Sequence, residues 1–214
     1  MTILPSQKSL KKYTTILFIF IYCLIFSFKS EAQLEKSDFS KHNNATLGKV
    51  GYSQPFLQAE NLFHSGKFMA AKPYYHTYLE KFKKGKRRSK AFFRLGLIDQ
   101  NAKSFSTALR FYKMVLKEHP SNLLINDIKF KMAVCNFEIG KFGIAEKLFK
   151  TVIRKPLDKK NKWKALYFLS RLDGMSFGFD KAISKLKKIY TQVDDRELSK
   201  KAFQLTVELS LIHI

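Results

Sequence analysis

Four alanines, Ala71, Ala108, Ala145 and Ala182, stand 37 residues apart, and their neighbours repeat with them. Three residues before each is a phenylalanine: Phe68, Phe105, Phe142 and Phe179. Four residues after each is a large apolar or aromatic side chain (Tyr75, Tyr112, Phe149, Leu186), and four further on another (Leu79, Leu116, Ile153, Tyr190). Twelve residues before each is a small one: Ala59, Gly96, Ala133 and Ser170. A period of this length marks one supersecondary unit copied several times, each copy unable to bury its apolar face alone.

Inside one copy the pattern predicts a helical hairpin. Gly96 and Ala108 allow two antiparallel helices to approach, Phe105 plugs the turn, and Ala108, Tyr112 and Leu116 form one stripe at i, i+4, i+8. Gly66 and Gly140 stand where a first helix must turn, and Pro120 and Pro156 near the ends of second helices. Phe92, Phe93, Leu95, Gly96, Phe105, Ala108, Tyr112 and Pro120 together resemble the tetratricopeptide (TPR) repeat. The resemblance spans about residues 52–190, with three residues more per junction than the family's usual period of about 34. It implies an all-α, right-handed solenoid.

The expected organisation is therefore a leader at 33–51, four TPR-like repeats over 52–195 starting near 52, 89, 126 and 163, and a half-repeat helix over 196–214. That last helix reads apolar nearly all round through Phe203, Leu205, Val207, Leu209, Leu211, Ile212 and Ile214. Either a partner covers it or the chain is the front piece of a longer protein. TPR copies of this kind resemble the front end of larger envelope proteins that carry an OmpA-like domain in type IX secretion machinery.

Residues 1–32 read as a secretory signal peptide. Lys8, Lys11 and Lys12 precede an apolar run at 16–28, and Ser30-Glu31-Ala32 offers a peptidase small residues at the two positions it reads. The run is short of the ~17–25 residues that span a bilayer. Its Ala-Gln junction resembles the export signals of some Gram-negative bacteria, which implies a periplasmic or outer-membrane-associated protein. Cleavage leaves Cys135 as the only thiol, so apolar packing and no intramolecular disulfide must hold the domain.

No sequence motif for nucleotide, nucleophilic or zinc chemistry is present, so the reading is a non-enzymatic binding protein with no cofactor and no metal. Cys135 lies in an apolar stretch and reads as a buried, inert thiol. In a TPR-like stack the first helices line the concave groove. By that resemblance Phe56, Phe63, Phe93, Phe130, Phe137 and Tyr167, with the basic Arg94, Lys131 and Arg171, face a protein partner as aromatic anchors among cations. Lys90 and Arg94 match the basic pair of a carboxylate clamp, but Leu57 stands where the clamp needs asparagine.

Charge supplies the competing surface. Lys and Arg number 40 against 17 Asp and Glu, a formal net charge of +23. Two basic runs fall at junctions between copies: Lys83, Lys84, Lys86, Arg87 and Arg88 in one, Lys159, Lys160 and Lys162 in the other. An edge of this kind suits an acidic protein, an anionic glycan or lipid head groups. Nucleic acid fits the same charge but not an exported protein.

Overall fold

A computed structural model describes residues 53–118, 125–154 and 159–213. The signal and leader segments, Pro120, Pro156 and the junction at 155–158 lie outside the described residues. Among the described residues there are nine helices and no strand. They form four hairpins: α1 (Gln54–His64) with α2 (Phe68–Lys81), α3 (Arg88–Asn101) with α4 (Phe105–Glu118), α5 (Ile125–Glu138) with α6 (Phe142–Arg154), and α7 (Lys159–Met175) with α8 (Phe179–Gln192). A ninth helix, α9 (Arg196–His213), follows. The architecture is an all-α solenoid.

Every second helix begins at a repeat phenylalanine, so the 37-residue period is the spacing of hairpin turns. The reason lies one step upstream. Gly66, Lys103, Gly140 and Phe177 occupy the same register, and all four have left-handed backbone, with φ of 76°, 59°, 76° and 60°. Each closes its first helix with the same two hydrogen bonds. In the first turn the Gly66 N–H donates to the Phe63 carbonyl and the Lys67 N–H to the Leu62 carbonyl; in the fourth, Phe177 donates to Gly174 and Gly178 to Asp173. This is the Schellman arrangement, which satisfies carbonyls that a helix end leaves open.

The repeated small and large positions are the core. Ala59, Ala71, Ala108, Ala133, Ala145, Ser170 and Ala182 are fully buried, as are Tyr75, Tyr112, Phe149 and Leu186. At Gly96 a Cβ would stand 2.5 Å from Cε1 of Tyr112, so this position admits only glycine unless the tyrosine moves. The two rows of helices differ. α3 buries residues around its circumference, among them Ala91, Phe92, Arg94, Leu95, Leu97 and Ile98. α4 buries one stripe: Ala108, Leu109, Tyr112 and Val115. Successive first helices also touch, α5 on α7 and α7 on α9, so first helices form the inner row and second helices the outer.

The last helix is more ordered in its polarity than its sequence implies. Leu198, Ala202 and Leu209 are buried in one cluster with Tyr167, Ala182, Leu186 and Ile189. Phe203, Val207 and Leu211 stay exposed, at i, i+4, i+8 on another face.

Candidate functional site

The inner row was expected to present its aromatic residues to a partner. The structure places most of them between helices instead. Phe56, Phe63, Phe130, Phe137 and Tyr167 are buried, together with Arg94. Phe56 packs on Tyr78 at 5.0 Å, Phe63 on Phe68 at 5.0 Å, and Phe137 on Phe168 at 5.2 Å. Phe130 lies 5.9 Å from Phe149, and Tyr167 lies 6.1 Å from Phe168. Phe56, Phe63 and Phe130 pack within their own hairpins and Phe137 reaches the next one, because an inner helix has neighbours on several sides. Phe93, Lys131 and Arg171 remain half-buried, as does Lys164, while Lys90 is exposed.

The best-defined polar site on this row centres on Glu60, which the sequence reading passed over. Glu60 is buried, and its Oε1 accepts from the Tyr75 hydroxyl at 2.6 Å and from Arg94 Nε at 3.1 Å. Its Oε2 lies 2.7 Å from Lys90 Nζ. Arg94 also covers the Phe63 ring at 4.3 Å, a cation–π contact. Burial alone would raise the Glu60 pKa; the charge of Arg94, then the bonds from Lys90 and Tyr75, outweigh it and hold it at about 2. Burial and the adjacent carboxylate push the Tyr75 phenol up, so it stays protonated and donates. His64 stands 3.6 Å from Glu60, but burial and the Arg94 charge lower its pKa, which favours the neutral imidazole.

Glu60 and Tyr75 belong to the first hairpin, Lys90 and Arg94 to the second. The cluster is thus a latch between repeats, and the basic pair that resembled half a carboxylate clamp is occupied by a carboxylate of its own chain. A second bridge supports it: Lys72 of α2 pairs with Asp99 of α3, whose Oδ1 accepts while Oδ2 is buried without a hydrogen-bond partner.

The junction edge divides in the same way. Lys83, Lys84 and Lys86 are exposed. Arg87 covers Phe56 at 5.7 Å, and Arg88 pairs with Glu118 at 2.9 Å while donating to the Leu79 carbonyl at 2.8 Å. Both arginines therefore brace the fold. In the second run Lys160 and Lys162 are half-buried, Lys162 over Trp163 at 5.5 Å, and the Lys159 side chain lies outside the described residues. Among the described residues no three His, Cys, Asp or Glu side chains gather as for a metal ion. Cys135 is buried. No described helix is long and apolar enough to cross a membrane.

Residues 90–122, which hold most of the α3–α4 hairpin, match the sequence model of the family described as Tetratricopeptide repeat. The second hairpin is thus similar to a tetratricopeptide repeat. Solved structures agree in fold. BtubC (BKLC) from P. vanneervenii superposes with a TM-score of 0.55 at 18% identity, over 74% of this chain and 75% of that one. The MamA RS-1 ArsTM double mutant superposes with a TM-score of 0.52 at 14% identity, over 76% of this chain and 98% of that one. No curated protein sequence matches the chain. Tetratricopeptide repeats generally mediate protein–protein interaction, through the extended surfaces that stacking creates.

Proposed function

We propose that this chain is a non-enzymatic scaffold, exported to the cell envelope, that holds an acidic segment of another protein along its inner row. The observation that carries this reading is the basic character of that row across successive hairpins. Lys131 and Arg171 reach its surface, with the half-buried Phe93 on the same row, while Lys90 and the buried Glu60 serve the latch. Cations flanking an aromatic ring suit a peptide with an apolar anchor and acidic neighbours. The exposed junction lysines Lys83, Lys84 and Lys86 add long-range attraction.

The native mass of the protein from its own envelope fraction, at low and at high salt, tests the proposal. A one-to-one complex that persists at high salt, and is lost with Phe93→Ala plus Lys131→Gln, supports inner-row binding. A monomer of the mature size under both conditions refutes it. Neutralising Lys83, Lys84 and Lys86 should slow association and leave the complex intact.

A further inference from the structure

The outer row carries a pattern of its own. Within each second helix, the sixth, ninth, tenth and thirteenth residues lie on the face opposite the buried stripe. In α4 that face presents Arg110, Lys113 and Lys117, and in α6 the same register presents Lys147, Lys150 and Arg154. In α8 it presents Lys187 and Lys188. All are exposed, and no acidic residue occupies any of these positions on the three helices. Two carboxylates lie nearby: Glu146 pairs with Lys150 at 2.5 Å, which lowers its pKa, and Asp180 stands exposed in the first turn of α8. The first hairpin does not share the pattern, since α2 has Pro73, His76, Thr77 and Glu80 there.

The geometry points to this outer face of α4, α6 and α8 as a docking surface for an anionic lipid bilayer, distinct from the inner row and independent of any protein partner. The charges form a two-dimensional array. Along one helix they extend over about 10 Å, from the rise of seven residues, and across the stack they recur on three successive outer helices. A strand-like polyanion would be matched by a single row. A peptide would need an anchor, and Met114 is the one apolar side chain at these positions. Surface lysines facing anionic head groups attract additively and only within about a Debye length of ~8–10 Å.

Co-sedimentation of the full chain with phosphatidylcholine vesicles, with and without phosphatidylglycerol, tests this at low and high salt. The apolar run at 16–28 acts on both vesicles, so the readout is the difference between them. Lys113→Gln, Lys147→Gln and Lys187→Gln together, one on each helix, should reduce anionic-vesicle partition at least about tenfold. Lys83→Gln, Lys84→Gln and Lys86→Gln remove the same charge from the junction loop and should reduce it far less. All six side chains are exposed, and far-UV circular dichroism should confirm that both variants fold. Equal losses in the two variants overturn the inference, as does equal binding to both vesicles or binding indifferent to salt. Capture by soluble polyglutamate with no vesicle binding also overturns it.

Discussion

Two junctions in this solenoid fill the same space with opposite chemistry. Between the first and second hairpins the contact is Glu60, Tyr75 and Arg94. Seventy-four residues on, two periods later, the same three positions are Val134, Phe149 and Phe168. There Phe149 and Phe168 stack at 5.0 Å, and Val134 packs against the same cluster. The neighbouring ring is kept: Phe63 lies under Arg94 in one junction, and Phe137 meets Phe168 in the other. What the repeat conserves is a volume to be filled between stacked hairpins, and either a closed polar network or a set of rings can fill it. The two solutions differ in how they fail. A ring that is removed leaves a cavity, whereas an ion that is removed leaves its partner buried and charged.

Breaking the polar junction should therefore give the largest effect. Glu60→Ala strands Arg94 in the interior and should cost about 3–5 kcal/mol. Urea unfolding followed by circular dichroism reads this as a lower midpoint; a loss under about 1 kcal/mol would show that Arg94 escapes to water. Phe149→Ala, its counterpart test in the aromatic junction, should cost a similar ~3–5 kcal/mol through the cavity it opens.

Replacing the network whole should do what removing one member cannot. Glu60→Val, Tyr75→Phe and Arg94→Phe together transplant the aromatic junction into the first position. Exchange of a buried ionic network for well-packed apolar groups is neutral or stabilising by about 1–4 kcal/mol. A triple variant as damaged as Glu60→Ala would mean that the first junction depends on ionic geometry and not on volume.

Acid separates the junctions without mutation. The folded pKa of Glu60, about 2, lies below its ordinary value of 4.5, so protonation favours the unfolded chain. Its contribution is complete above about pH 5 and disappears as pH falls towards 2, an amount of about 3 kcal/mol by linkage. The aromatic junction has no group that titrates at its three equivalent positions. Stability measured from neutral pH to pH 2 should fall steeply in the native protein and about 3 kcal/mol less in the triple variant; parallel curves would assign the acid sensitivity elsewhere.

The period made the outer row legible because those helices bury one stripe, and a stripe leaves its spacing in the sequence. Phe68, Phe105, Phe142 and Phe179 mark the helix starts to the residue. The inner row was harder to read for the converse reason. A helix packed on several sides has apolar residues on several sides, so Phe56, Phe130 and Phe137 have the composition of a binding groove and the position of a core. Glu60 escaped notice because its register holds Leu97, Val134 and Arg171 in the other copies, and a search for sameness passes over the position that differs. A usable signal was there: Glu60 is the lone acidic residue of α1, with Arg94 34 residues on. The turn register was legible only in part, because two of its four members are not glycine.

Those two residues give the smallest and most local test. Lys103 and Phe177 adopt a conformation that costs an L-residue roughly 1–2 kcal/mol relative to glycine, part of which glycine returns through its larger unfolded-state entropy. Lys103→Gly, in the turn of the second hairpin, should stabilise by about 0.5–1 kcal/mol. Phe177→Gly should gain less, since the exposed ring still meets Phe179 at 6.0 Å and that contact is lost. The reverse changes, Gly66→Ala and Gly140→Ala, meet nothing within 4 Å, so their cost of about 1 kcal/mol would be backbone strain alone. Stacked hairpins couple mainly to their neighbours. Lys103→Gly should therefore raise hydrogen-exchange protection around the polar junction more than around the aromatic one, and Phe177→Gly should do the opposite. Equal protection gains at both junctions would mean that the four hairpins unfold as a single unit and that the contrast between their junctions is invisible to local opening.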